Sequence, residues 1–211
     1  MTVVLDEAPR TQQATAVVLD GHFLTIEDVA AVARNRQAIG LHPDAIARIN
    51  KCRHLLERKI SAREIMYGVN TGIGELAEVV LAPEQVEQYQ KYLLYSHAAG
   101  CGEPCAEEDV RAGMLCRLNT HCWGHSGIRS EIVQTQVEML NKGVTPVVCR
   151  KGSVGACGDL SPMAQMAITL MGEGEVFYQG RRVSAKQGMD EAQHPDHCIP
   201  RAGRPGDHQR L

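Results

Sequence analysis

Apolar residues recur at helical spacing along most of this chain. Ile26, Val29, Ala30 and Ala33 lie three or four residues apart, behind a Thr25/Asp28 pair that resembles an N-terminal cap. Gly40 is expected to stop this helix. Pro43 suits a first helical position, and Ile46, Ile49 and Leu56 carry a second helix to about Lys59. Helices are predicted again over 83–99, 107–123 and 131–142. The last has Ser130 as its cap, Glu131 in the first turn, Val133, Val137 and Leu140 as its buried stripe, and Gly143 just beyond its end. Ser161-Pro162 opens another helix, to about Met171. Only 175–184 reads as strand, with Val176, Phe177 and Tyr178, a turn near Gln179-Gly180, then Arg182 and Val183. The pattern predicts a mainly α fold with one small β-hairpin.

Two glycine-rich breaks interrupt it, Tyr67-Gly-Val-Asn-Thr-Gly-Ile-Gly74 and Gly152-Ser-Val-Gly-Ala-Cys-Gly158. Residues 1–22 lack a clear period and are expected to form a loose arm, leaving 23–193 as one domain. The segment 194–211 holds three prolines, three histidines and three arginines without periodicity.

Composition narrows the function classes. With 211 residues, 44% hydrophobic and 22% charged, the chain is neither disordered nor too small for a core. Two Phe and one Trp leave that core to Leu, Ile, Val, Met and Ala. No apolar run approaches the roughly 18 residues of a membrane span. Asp6, Glu7 and Arg10 interrupt any secretory signal. A net charge of -3 and a pI near 6.3, with no basic stripe, give no footprint for nucleic acid.

Eight cysteines without a signal segment imply reduced thiols and a cytoplasmic protein. Cys101 with Cys105, or His121, Cys122 and His125, have spacings that metal ligands could use. No second pair stands at structural zinc spacing, so small buried fillers are the plainer reading and no metal is expected.

A glycine loop that opens a helix can cradle phosphate on its amides. The segment 152–158 qualifies by position. It lacks a G-K-[ST] ending, a G-x-G-x-x-G pattern and a clear strand ahead of it, which makes a phosphate module the weaker reading.

Taken together, Tyr67-Gly-Val-Asn-Thr-Gly-Ile-Gly74, Ser96-His97-Ala-Ala-Gly100 and Gly152-Ser-Val-Gly-Ala-Cys-Gly-Asp-Leu-Ser-Pro162 resemble the histidine/phenylalanine ammonia-lyase family in order and spacing. The resemblance runs from about Leu24 to Gln187 and covers the N-terminal portion of chains more than twice as long. It implies the N-terminal domain of the ammonia-lyase fold and elimination of ammonia from an aromatic L-amino acid. The cofactor implied is a self-formed methylidene-imidazolone. In the family a glycine amide nitrogen attacks an alanine carbonyl, and water loss closes a ring whose methylidene captures the substrate amine. The matching residues are Ala156, Cys157 and Gly158. Cys157 stands where the family usually has serine. Ring closure uses only backbone, and thiolate leaves more readily than hydroxide, so the same ring is expected.

Tyr67 matches the loop tyrosine that removes the substrate's β-proton. A phenol ordinarily titrates near about 10, so that role needs surroundings that favour phenolate. His97 matches the position facing the substrate ring. A Ser-His pair there looks like the histidine lyases, which points to L-histidine and trans-urocanate, with tyrosine or phenylalanine lyases and the 2,3-aminomutases as alternatives. Ile73 departs from the family's usual phenylalanine. The family's enzymes are homotetramers with active sites shared between subunits.

The tail departs from the family pattern. Codons consistent with Gly206-Asp-His-Gln-Arg-Leu211, shifted forward by one nucleotide, read Ala-Ile-Ile-Asn-Gly-Ser, and from Cys198 they can read Ala-Phe-Gln-Gly-Arg-Glu-Gly-Leu before it. The family has such a segment there. A frameshift from about His194 is therefore expected, with the chain as written inactive through loss of the family's substrate-binding asparagine and central helices. A non-catalytic truncated relative is the alternative of another class.

Overall fold

The computed structural model describes residues 16–155 and 158–192. Helix α1 (Ile26–Asn35) starts at a capping box: the Asp28 amide donates to Thr25 Oγ1, and the Thr25 amide donates to the Asp28 carboxylate. It ends at Arg36 in a left-handed conformation, φ 55°, and not at Gly40. The chain leaves the helix early because β2 (Ile39–Leu41) pairs in parallel with β1 (Val17–Leu19). Asn141 fixes that strand from its open side, accepting from the Ile39 amide at 2.9 Å and donating to its carbonyl at 3.0 Å. The arm expected over residues 1–22 is thus strand by Val17, with Leu19 in the core. Residues 1–15 lie outside the described ones.

Helix α2 (Pro43–Ser61) begins at Pro43 as expected. Helices α3 (Pro83–His97), α4 (Glu107–His121) and α5 (Ser130–Lys142) follow, with Arg129 and not Ser130 as the cap of α5. Helix α6 spans Leu160–Thr169, and a short α7 (Ala185–Glu191), not predicted, is capped by Ser184. The hairpin forms as β6 (Glu175–Tyr178) and β7 (Arg181–Ser184), joined on its free side by β4 (Thr145–Pro146). An antiparallel pair, β3 (Cys101–Pro104) with β5 (Cys149–Lys151), adds strands the sequence pattern does not announce.

The core lies where α1, α4 and α5 meet. Val32, Leu115, Leu118, Val133 and Leu140 are buried there, with Val176 and Ala185 extending it under the hairpin. One charged residue sits inside it. Arg111 is 1% exposed, and its guanidinium donates to the carbonyls of Val32 (2.8 Å), Ala33 (3.2 Å) and Leu140 (3.1 Å). Those oxygens belong to the last turns of α1 and α5, the negative helix ends, and among the described residues only that of Leu140 also accepts a backbone N–H, from Gly143 at 3.3 Å.

His121 and Cys122 are also core residues. Burial first, and Arg117 second, lower the His121 imidazole to about 4, while burial raises the Cys122 thiol to about 11. Both behave as packed residues.

Candidate active site

Antiparallel pairing places the start of one strand beside the end of its partner. Here Cys101, at the start of β3, pairs with Lys151, at the end of β5. The segment Ser96–Gly100 enters β3, and the segment Gly152–Gly158 leaves β5. The second and third sequence motifs therefore meet, although more than fifty positions separate them.

They meet at glycine-only distance. A Cβ on Gly152 would lie 2.9 Å from Gly100 Cα and 2.7 Å from Ser161 Oγ. A Cβ on Gly100 would lie 2.4 Å from Gln165 Oε1. Gln165, on α6, is buried and holds both segments: its Oε1 accepts from the Cys149 amide at 3.0 Å, and its Nε2 donates to the Gly100 carbonyl at 3.3 Å. The Ser161 hydroxyl, one turn earlier on the same face, is buried without a hydrogen-bond partner among the described residues.

His97 is the last residue of α3 and is half-buried. Its Nδ1 lies 2.8 Å from the Leu93 carbonyl and 3.1 Å from Ser96 Oγ, whose own hydroxyl donates to the same carbonyl. A carbonyl only accepts, so Nδ1 carries the proton. In that tautomer Nε2 is the ring's acceptor. Helix α3 is held in place by Tyr95, which donates to the Glu173 carboxylate at 2.6 Å, and by Lys91, paired with Glu173 at 3.2 Å.

The Tyr67 loop is ordered by its own polar residues. Asn70 accepts from the Met66 amide and donates to the Glu64 carbonyl, both at 2.7 Å, and buried Thr71 accepts from the Gly68 amide. Gln90 of α3 donates to the Gly68 carbonyl at 3.0 Å, so α3 supports both the first and the second motif. Tyr67 itself is exposed, and its oxygen accepts from the Gly74 amide at 3.2 Å. Among the described residues no hydrogen bond joins Tyr67 to His97 or Gly158.

Of the three residues matched to the ring precursor, Ala156 and Cys157 lie outside the described residues. Gly158 is described, at φ 94°, and Gly155 on the other side is at φ 69°. Both values suit glycine, and a Cβ at either position would meet nothing. Ser153 Oγ donates to Asp159 Oδ1 across the loop and closes it just ahead of α6. Among the described residues, no group of three or more His, Cys, Asp or Glu side chains is arranged to hold a metal, and no helix is long and apolar enough to cross a membrane. Gln165 escaped the sequence reading. Its only trace there is a polar residue one turn after Ser161, inside an otherwise apolar helix.

Comparison with known proteins agrees with this geometry. Residues 24–197 match the model of the aromatic amino acid lyases. A histidine ammonia-lyase of Caldanaerobacter subterraneus subsp. tengcongensis is 46% identical over 176 residues, which are 83% of this chain and 35% of the relative. Among solved structures, an ergothioneine-degrading ergothionase of Treponema denticola superposes with a TM-score of 0.83 at 30% identity, covering 86% of this chain and 36% of that one. The histidine ammonia-lyase of Trypanosoma cruzi gives 0.80 at 32% identity, covering 88% and 36%. The chain thus spans about a third of the length of the relatives it matches. With the second and third motifs brought together, and a family match over most of its length, the chain belongs to the aromatic amino acid lyase family.

Proposed function

We propose that this chain carries the electrophile-forming and ring-recognising part of an ammonia-lyase acting on an aromatic L-amino acid, with L-histidine as substrate and trans-urocanate and ammonia as products. The observation that supports it best is the β3–β5 pairing, which seats Gly100 against Gly152, at the start of the segment that runs on in sequence to Ala156, Cys157 and Gly158.

The residues fit a methylidene-imidazolone made from Ala156-Cys157-Gly158, because the loop's described glycines adopt the positive φ that a tight backbone turn needs. Once formed, that group supplies the electrophilic carbon the reaction requires. The chain's other residues then have separate tasks. His97, with Nδ1–H committed to Leu93, offers Nε2 to a donor on the substrate ring, either an imidazole N–H or a phenol O–H. Phenylalanine has no such donor. Tyr67 takes the β-proton on its phenolic oxygen, which the Gly74 N–H holds in place at 3.2 Å. In the assembled enzyme, a homotetramer in this reading, other subunits and the remainder of the family fold complete the pocket.

The test is ultraviolet absorbance of the protein purified from its native source, incubated in turn with L-histidine, L-tyrosine and L-phenylalanine. Urocanate from L-histidine is expected where the remainder of the family fold is present, and none from residues 1–211 alone. Product from L-tyrosine alone would move the substrate to the phenol, and a conversion to a β-amino acid would indicate an aminomutase. No product from any of the three would favour a non-catalytic relative.

A further inference from the structure

We infer that Gln165 is a positioning residue that sets the separation between His97 and Gly152, where the loop matched to the electrophile begins. The inference deepens the proposed lyase reading and rests on it for the identity of the two sites.

The grounds are geometric. Gln165 is 9% exposed, and its two polar atoms each take a partner from a different segment. One partner, the Gly100 carbonyl, lies three residues after His97. Little slack lies between them, since the Ala98 amide donates to Leu94 at 2.9 Å and the Ala99 amide to His97 at 2.8 Å. The other partner, the Cys149 amide, opens β5, whose last residue, Lys151, leads directly into the Gly152–Gly158 loop. The carboxamide is directional: it offers one acceptor and one pair of donors at a fixed spacing. A side chain of equal size without them would fill the space and leave the Cys149 N–H and the Gly100 C=O without partners.

Burial also makes the clamp stiff. The Gly100 backbone presses on the carboxamide so closely that no Cβ fits, and Gly152 presses on Gly100 from the far side. The Gly100 backbone before β3 is thereby held between Gln165 of α6 and Gly152 after β5. A shift of Gln165 moves His97 relative to Gly152, the start of the loop that the proposed reading assigns to the electrophile.

Two variants of the full chain test this. Gln165→Leu keeps the volume and removes both hydrogen bonds. The Cys149 amide is expected to exchange with solvent at least about tenfold faster, while Leu115 and Val133 in the core keep their protection. The His97 ring resonances are expected to shift, and those of surface His42 and His54 to stay. Gln165→Glu keeps an acceptor for Cys149 and loses the donor to Gly100. It is expected to restore protection at Cys149 while leaving His97 displaced.

A Gln165→Leu protein with Cys149 still protected, or with His97 unmoved, overturns the inference. So does loss of protection across α4 and α5, which would make Gln165 a general determinant of folding. None of these readouts needs turnover. A protein that includes the remainder of the family fold and makes no urocanate therefore removes the lyase reading separately. In a protein that does turn over L-histidine, KM is expected to rise by about fivefold or more with kcat nearly unchanged, and the opposite split counts against a role in placing the ring.

Discussion

The Nδ1 of His97 lies 2.8 Å from the carbonyl oxygen of Leu93, one turn earlier in α3, and that contact decides which ring nitrogen a substrate meets. Only a protonated Nδ1 can make it, so Nε2 is left as an acceptor. Replacing His97 by Leu is expected to lower kcat/KM for L-histidine by about a hundredfold, because a substrate N–H then enters the site without a partner. L-phenylalanine, which has no ring donor, should lose far less. Parallel absorbance assays of urocanate and cinnamate check this. An equal loss for both substrates would deny the ring-recognition role.

Arg111 predicts a large stability effect remote from the site. Arg111→Met removes donors from three buried carbonyls at the ends of α1 and α5. Relief of the guanidinium's own desolvation offsets part of this. A net loss of about 3 kcal/mol is expected by urea unfolding. A variant as stable as the wild type would mean that those helix ends find other partners.

His121 predicts how stability depends on pH. Its folded-state value is about 4 against an ordinary 6.5, lowered by burial. Above pH 6.5 the ring is neutral in both states and stability is unaffected. As pH falls from 6.5 to about 4, only the unfolded chain takes up the proton, and about 3 kcal/mol is lost. Below that the contribution is constant. In His121→Gln this part of the acid dependence should disappear, measured by denaturant unfolding across the window. An unchanged slope would contradict the assigned burial effect.

Gly152 predicts the cost of separating the two motifs. Gly152→Ala places a Cβ 2.9 Å from the Gly100 backbone, which no side-chain rotation relieves. A loss of about 1–3 kcal/mol is expected. Gly155→Ala, in open space but at φ 69°, should cost less than that steric overlap and strain the backbone only. Thermal unfolding of both variants ranks them.

Much of the helical frame was legible because apolar spacing and caps are local. Thr25 with Asp28, Pro43 and the Val133–Leu140 stripe each mark an element within a few residues of where it lies. The strand pairs were not legible. A three-residue strand such as Val17–Leu19 is too short to alternate, and β3 holds Gly102, Glu103 and Pro104, which individually argue against a strand. Their pairing is set by long-range contacts. The end of α1 at Arg36, and not Gly40, has the same cause, since the position of β2 forces the chain out of the helix. Tyr67 and His97 stood out through motif resemblance and not through pattern. Gln165 stayed hidden because a single polar residue in an apolar helix does not reveal which distant amides it meets.

The central claim is that Ala156-Cys157-Gly158 closes into an electrophile, and the intact mass of the protein from its native source tests it most directly. A mass short of the encoded value by one water and one hydrogen sulfide is expected, and Cys157→Ala should abolish the hydrogen sulfide deficit. An unmodified mass with a free Cys157 thiol would contradict the claim, and with it the lyase reading.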